Sequence, residues 1–187
     1  MSRQASVVVV VALSVTPVVS AAQTIPTRGY SLTTATPTPV PVAYPDFSSM
    51  QFLVGTWTCT QPWRGRTRTE TNAYAISKDR MWMVDSTSSP PFDQYRTIPR
   101  NGTLVMTYDA AVAQWIAMYY DNLGSYAMES SPGWEGNVAN WSGKGLDGRS
   151  FTDVITKVSD THTTDASTLT DARGKTITVT ITCKKNP

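Results

Sequence analysis

Three acidic side chains on predicted strands are the residues of this chain that could perform acid–base chemistry. Asp85, Glu129 and Glu135 lie in or beside stretches typical of β-strands, whereas Glu70 is flanked by threonines and arginines and is predicted to face solvent. A carboxyl that a barrel interior shields from water has a raised pKa, which suits an isomerase, cyclase or hydrolase, with Asp85 and Glu129 as the catalytic candidates. Because a shift of one residue exchanges the two faces of a strand, the alternative is that these acids lie on solvated faces or at a rim.

Aromatic side chains are the second chemically informative group, and they favour binding over catalysis. They recur along successive predicted strands, together with methionines that adapt to several ligand shapes. The predicted ligand-binding residues are Trp82, Tyr95, Trp115, Tyr119, Tyr126, Trp134 and Trp141. This pattern predicts an aromatic-lined cavity for a small apolar or amphipathic molecule, and the alternative is a filled core with no cavity. Both faces of segment 114–120 are apolar, so a third hypothesis is an interaction module whose outer face meets a partner.

Several other chemistries lack the residues they need. The single histidine, His162, cannot build a multi-histidine zinc site, and its polar surroundings predict an exposed loop. The chain has neither a glycine-rich phosphate-binding motif nor the sequence of a nucleophile elbow. Its formal net charge of +2 gives no electrostatic basis for binding nucleic acid. We therefore predict no metal site, no cofactor and no nucleic-acid partner.

The elements that must position these residues are short strands separated by turns. Turn-forming pairs recur between them, among them Lys78-Asp79, Asn101-Gly102 and Pro132-Gly133. The predicted strands are Thr56–Gln61, Thr67–Ile76, Met81–Ser86, Gln94–Ile98, Leu104–Tyr108, Gln114–Tyr120, Ser125–Glu129, Asn137–Ser142, Thr152–Val158, Thr163–Thr170 and Thr176–Cys183. A short helical turn is predicted ahead of them, within Asp46–Val54. This order predicts an all-β, antiparallel up-and-down barrel of about 8–11 strands, with a sandwich as the alternative.

The two cysteines lie near opposite ends of the predicted barrel. Cys59 follows Trp57 on the apolar face of the first strand, and Cys183 ends a strand in which isoleucine and valine alternate with threonine. A disulfide between them would join the first strand to the last, as closure of a barrel requires. The alternative is two free buried thiols.

The N-terminal segment is predicted to direct export. Residues 1–22 carry Arg3, an apolar stretch and a small-residue cleavage site at Ser20-Ala21-Ala22, which together are typical of a signal peptide. The apolar stretch is too short and too interrupted to span a membrane. Residues 23–45 are rich in proline and threonine and predict a disordered tether before a barrel domain over 46–187. We expect a secreted or periplasmic protein, a compartment that permits the disulfide.

An ordered set of short motifs marks the barrel domain. The stretches are Phe52–Trp57, which reads Phe-Leu-x-Gly-x-Trp, Trp115–Asp121, Gly133–Gly136 and Cys183–Lys185. Together they resemble the calycin superfamily of lipocalins, fatty-acid-binding proteins and nitrobindins, and are most similar to small secreted bacterial lipocalin-like proteins. The resemblance implies a barrel with a cavity or a filled interior, and no particular chemistry. In such a barrel Gly55 allows a sharp turn at the mouth and Trp57 caps one end of the interior.

These observations lead to one interpretation with two alternatives. The function that these observations favour is non-catalytic binding of a small apolar or amphipathic ligand in the barrel interior. The first alternative is an enzyme that uses Asp85 or Glu129, and the second is an interaction module with a filled core.

Overall fold

The structure is a computed structural model that describes residues 44–63, 65–92, 97–145, 148–170 and 174–187. The predicted signal peptide over 1–22 and nearly all of the predicted tether over 23–45 lie outside these residues. The strands are β1 (Gly55–Trp63), β2 (Arg66–Ile76), β3 (Met83–Ser89), β4 (Arg100–Asp109), β5 (Gln114–Asp121), β6 (Tyr126–Ser131), β7 (Trp134–Glu135), β8 (Val138–Gly145), β9 (Ser150–Ser159), β10 (His162–Thr170) and β11 (Thr176–Lys185). A 3-10 turn over Ser48–Leu53 precedes them.

The strands form a closed antiparallel barrel. Sequential neighbours pair from β1 to β6 and from β8 to β11, β1 pairs with β11, and β6 pairs directly with β8 to complete the ring. Ten strands therefore make the wall, while the two-residue β7 pairs only with β8 and lies outside it. Each of these ten strands therefore pairs with a neighbour on both sides. The predicted all-β barrel of about 8–11 strands is confirmed, and the sandwich alternative is wrong.

The disulfide between Cys59 and Cys183 is confirmed. The two residues are direct cross-strand partners on β1 and β11, and an S–S bond joins them. Cys59 faces inward because β1 alternates buried Trp57 and Cys59 with more exposed threonines. The bond therefore joins the first and last strands of the ring from its inner side.

The predicted helical turn closes one end of the interior. Met50 projects from it into the core, which also contains Phe47, Met83 and Met106. The first barrel strand holds this turn in place through Trp57, which is 1% exposed and whose indole Nε1 donates a hydrogen bond to the Leu53 carbonyl at 2.7 Å. Gly55, with φ of 124°, makes the sharp bend between the turn and β1 that the Gly-x-Trp motif implies.

Three details differ from the sequence-based expectations. Asn101 and Gly102 belong to β4 rather than to a turn, because Gly102 leaves room for the ring of Tyr119: a Cβ at this position would lie 2.5 Å from the Tyr119 hydroxyl. His162 opens β10 rather than lying in an exposed loop, and it is half-buried. Strand β7 was missed because two residues carry no detectable alternation.

The remaining predicted strand, Gln94–Ile98, falls largely outside the described residues. Its two described positions, Thr97 and Ile98, are not in a strand. In the described part of the chain, no helix has both the length and the apolar character needed to span a membrane.

Candidate functional site

The barrel interior contains a cavity of about 230 Å³. Its apolar wall combines residues from the 3-10 turn with side chains from the strands. These residues are Met50, Leu53, Leu104, Met106, Trp134, Trp141, Ile155 and Ile181. The interior is therefore not completely filled, and its apolar part resembles the wall of a small-molecule site.

Five carboxyl groups also line this cavity, beside the disulfide and the polar side chains of Asn72, Tyr74, Thr87 and Thr163. The carboxyl groups come from five different strands and are Glu70, Asp85, Glu129, Asp153 and Asp165. No lysine, arginine or histidine is among the described residues that line it. An apolar cavity with several acids and no cationic lining residue is electrostatically unbalanced, because charged groups inside a protein are normally paired.

Among the described residues, Glu70 is the acid of the cavity that forms ion pairs with arginines. Its Oε2 accepts a hydrogen bond from Arg100, and Arg68 lies 3.8 Å away on the same strand. Both arginines line a second cavity of about 400 Å³ that shares Cys59, Glu70 and Ile181 with the first. The expectation that Glu70 faces solvent is wrong, since its position directly opposite the inward Cys59 turns it into the barrel.

Asp85 lies on the inner face of β3 and is almost completely buried, with 3% of its surface exposed. Its Oδ2 accepts a hydrogen bond from the Thr87 hydroxyl at 3.3 Å, and the Ala73 backbone N–H and the Tyr74 hydroxyl also approach the carboxyl. Its Oδ1 has no well-formed hydrogen bond among the described residues. Burial raises the pKa of Asp85 to about 7. The neighbouring Tyr74, which is partly buried, has a pKa well above its ordinary value, first through burial of its hydroxyl and then through the Asp85 charge, so this hydroxyl stays protonated.

Glu129, Asp153 and Asp165 form an acidic group on β6, β9 and β10. Burial, and then the charges of the other two acids, raise the pKa of Glu129 to about 8. Burial followed by the Asp153 charge raises the pKa of Asp165 to about 7. Burial also raises the pKa of Asp153, against a hydrogen bond from Ser167 that lowers it. Glu129 and Asp165 therefore change protonation state near neutral pH, where ordinary carboxyls are fully ionised.

The predicted aromatic ligand-binding residues are only partly brought together. Trp134 and Trp141 line the cavity. Trp115 is buried in the core, with its ring centroid 5.3 Å from that of Phe47, and is not among the lining residues. Tyr119 lies on the same face of β5 as Trp115 and donates a hydrogen bond to Asp121 Oδ2 at 3.2 Å.

The other predicted aromatic residues lie elsewhere. Trp82 and Tyr126 are 41% and 49% exposed, and Tyr95 lies outside the described residues. The outer face of β5 and β6 carries two exposed cross-strand pairs, Met118 with Met128 and Tyr120 with Tyr126. Strand β5 therefore turns Trp115 and Tyr119 inward, which resolves the ambiguity of its two apolar faces.

The candidate carboxylates are also only partly brought together. Asp85 and Glu129 line the cavity, while Glu135 is exposed on β7, outside the barrel wall. Sequence reasoning missed Asp153 and Asp165. The position of Asp153 could have been predicted from the sequence, because it lies two residues from each of the apolar Phe151 and Ile155 and therefore on the same face of the strand.

The acids are not arranged as a metal centre. Among the described residues, no three histidine, cysteine, aspartate or glutamate side chains come together in a way that could hold a metal ion. His162 lies apart from the cavity lining, and its Nε2 is buried with no hydrogen-bond partner in the described part of the chain. The arrangement can therefore donate and accept protons and attract cations within an apolar enclosure. Comparison of this chain with protein-family models and with curated proteins finds no match.

Proposed function

We propose that this protein binds a small apolar or amphipathic molecule inside its barrel without catalysing a reaction on it. The cavity of about 230 Å³ is the observation that carries the proposal. Burial of apolar ligand surface against Met106, Trp134 and Trp141 would supply the affinity, while the buried polar groups would fix the orientation.

Export is part of the same proposal. The Cys59–Cys183 bond supports an oxidising compartment, outside the cell or in a periplasm. The signal peptide over 1–22 and the tether over 23–45 remain predictions. The closed ten-stranded barrel is consistent with a calycin-like fold, and membership among the bacterial lipocalin-like proteins is proposed on the sequence motifs alone.

Native mass spectrometry of the full chain, purified from its own exported fraction, tests ligand binding directly. We expect a small molecule that leaves on denaturation. A variant that fills the cavity, Ile155→Phe, should purify without it, whereas Val154→Phe, which adds the same ring to the outer face of the same strand, should retain it. Equal retention by both variants would place the ligand outside the barrel interior and contradict the proposal.

An enzyme is the second candidate, and the protonation behaviour of two acids favours it. Asp85 and Glu129, with pKa values raised to about 7 and about 8, border an apolar cavity. A general acid or base works best when its pKa lies near the working pH. An isomerase, cyclase or hydrolase that uses one of these carboxyls would have a catalytic group that can both donate and accept a proton near neutral pH.

A metabolite extract incubated with the protein in deuterium oxide distinguishes the two candidates. An enzyme would convert a component, or introduce deuterium into it, and Asp85→Asn or Glu129→Gln would abolish this change. Glu135→Gln, an exposed residue outside the barrel wall, serves as the matched control. A binding protein should leave the extract chemically unchanged while enriching one component.

A further inference from the structure

We propose that the barrel interior is selective for a small organic amine, bound as its ammonium ion with an apolar group attached. This inference rests on the proposed function, because it names the ligand class of the same cavity. It is carried by the charges and the unpaired acceptors of the lining residues.

The first argument is charge. Arg100 and Arg68 compensate Glu70, but the remaining four acids of the cavity have no lysine, arginine or histidine beside them among the described lining residues. These acids are Asp85, Glu129, Asp153 and Asp165. A buried negative charge is costly until a positive group offsets it. A cationic ligand would therefore offset negative charge that no described lining residue offsets.

The second argument is hydrogen bonding. The Oδ1 atoms of Asp85, Asp153 and Asp165 are buried and have no partner in the described part of the chain. Asp85, at 3% exposure, is an acceptor on β3, a different strand from those of the acidic group on β6, β9 and β10. Unpaired acceptors call for a donor, and an ammonium supplies up to three N–H donors and no acceptor. A ligand carboxylate offers only further acceptors and further negative charge.

The third argument is the rest of the lining. The indoles of Trp134 and Trp141 and the side chains of Leu104 and Met106 form the apolar part of the wall. Such a wall accommodates an aromatic or short aliphatic group, and indole faces also attract cations. At about 230 Å³ the cavity lies below the usual range of ligand sites, which favours a small amine over a long acyl chain.

Selective binding of an ammonium ion should be accompanied by a measurable release of protons. The pKa values of Asp85, Asp165 and Glu129 are raised to about 7, 7 and 8, so part of the acidic lining is protonated at neutral pH. Asp85 faces Tyr74 and Glu70, Glu129 faces Asp153 and Asp165, and Arg68 and Arg100 face Glu70. An entering ammonium favours the ionised carboxyls, so its binding should release protons and tighten as the pH rises from about 6 to about 8.5.

Three probes with one skeleton separate charge from shape: phenethylamine, phenethyl alcohol and phenylacetate. Titration calorimetry of the full chain at about pH 8 should show the amine bound at least about tenfold more tightly than the alcohol. Phenylacetate should not bind. Repeating the amine titration near pH 7 in buffers of different ionisation enthalpy should show proton release.

Charge-removing variants then locate the effect. Asp165→Asn together with Glu129→Gln should lower the amine affinity by at least about tenfold while leaving the alcohol affinity within about twofold. Glu135→Gln should change neither affinity. Circular dichroism and thermal unfolding of each variant confirm that the barrel is intact, and Asp85→Asn provides an independent single substitution if the double variant does not fold.

The possible outcomes separate the two levels of the proposal. If the alcohol binds as tightly as the amine, or phenylacetate binds more tightly, the amine inference is wrong while cavity binding stands. If none of the three probes binds, the amine inference is wrong, and ligand retention by Ile155→Phe and Val154→Phe decides cavity binding separately.

Discussion

Asp153 and Asp165 face the barrel interior from adjacent strands, and their positions are offset by two residues along the strand. Asp165 pairs with Ile155 and Asp153 pairs with Ser167, so the two carboxyls are diagonal neighbours on the same face. Diagonal positions across a strand pair are about 7–8 Å apart, within reach for like charges in a poorly solvated interior. The charge of Asp153 raises the pKa of Asp165, so the stability of the protein should depend on pH.

We predict that the ligand-free protein is more stable in mild acid than in mild base. The folded-state pKa values of Asp85 and Asp165 are raised from 3.8 to about 7, and that of Glu129 from 4.5 to about 8. At these three groups the folded state therefore binds protons more tightly than the unfolded state, so their contribution to the free energy of unfolding is fully present below about pH 4 and is lost as the pH rises through about 7 to 8. Urea denaturation at pH 5.5 and pH 8.5 should show a loss of a few kcal/mol at the higher pH (~1.4 kcal/mol for each pK unit).

The substitution Asp165→Asn tests the cause of that loss. It removes one charge from the acidic group, so the variant should be more stable than the natural chain at pH 8.5, by roughly 1–3 kcal/mol, and should depend less on pH. Glu135→Gln should leave the pH profile unchanged. A profile that rises toward pH 8.5 in the natural chain would show that the interior acids are not destabilising.

We predict that Trp57→Phe loosens the 3-10 turn that covers one end of the interior. The change removes the 2.7 Å hydrogen bond from the indole to the Leu53 carbonyl and leaves part of the buried volume empty. The expected cost is about 1–3 kcal/mol of unfolding free energy, with faster amide hydrogen exchange in Ser48–Leu53. Trp82→Phe, at a side chain that is 41% exposed, should cost less than about 0.5 kcal/mol. Equal costs for the two variants would contradict the anchoring role of Trp57.

We predict that Gly143→Ala disturbs the point where β6 and β8 close the barrel. A Cβ at Gly143 would lie 2.3 Å from the Met128 carbonyl oxygen and 2.7 Å from Phe151 Cζ. The backbone oxygen cannot rotate away as a side chain can, so the strands must separate, at a cost of about 1–3 kcal/mol. Chemical denaturation measures the loss, and Ser142→Ala on the exposed face of the same strand serves as the control. No difference between the two variants would mean that the closure tolerates added volume.

We predict that replacing Cys59 and Cys183 by alanine together lowers the free energy of unfolding by about 2–4 kcal/mol. The bond closes a segment with a sequence separation of 124, which restricts the unfolded chain. Reduction of the natural chain should cause a similar loss, which separates the effect of the bond from that of the missing sulfur atoms. Intact mass and thiol alkylation confirm the state of each sample, and a loss seen only in the alanine variant would assign the effect to packing.

Most of the fold was predictable because its signals are local. Strand β11 alternates isoleucine and valine with threonine, and turn chemistry at Lys78-Asp79 marks the end of β2. The exceptions follow the same logic. Asn101-Gly102 has the composition of a turn, but Gly102 serves the packing of Tyr119 across the strands. A residue chosen for a contact with a distant strand cannot be distinguished from a turn residue by its neighbours.

The site was less predictable because ring closure assembles it. Asp85 and Glu129 could be placed on strands, and both line the cavity, while any catalytic role for them stays a prediction. Asp165 lies among threonine, alanine and serine, which give no contrast between inner and outer faces. Only the successive pairings of β6 with β8, β8 with β9 and β9 with β10 bring Glu129 close to it. Register between strands that are distant in sequence is a property of the whole barrel.

The position of the Cys59–Cys183 bond has a consequence for the integrity of the chain. Every connection between barrel strands lies within the covalent loop that the bond closes, because Cys59 is in the first strand and Cys183 in the last. A protease that cuts one of these connections opens the loop but releases no fragment. The two pieces stay tethered through sulfur, each remains beside the strands it pairs with, and a nicked molecule separates into two chains only after reduction and unfolding.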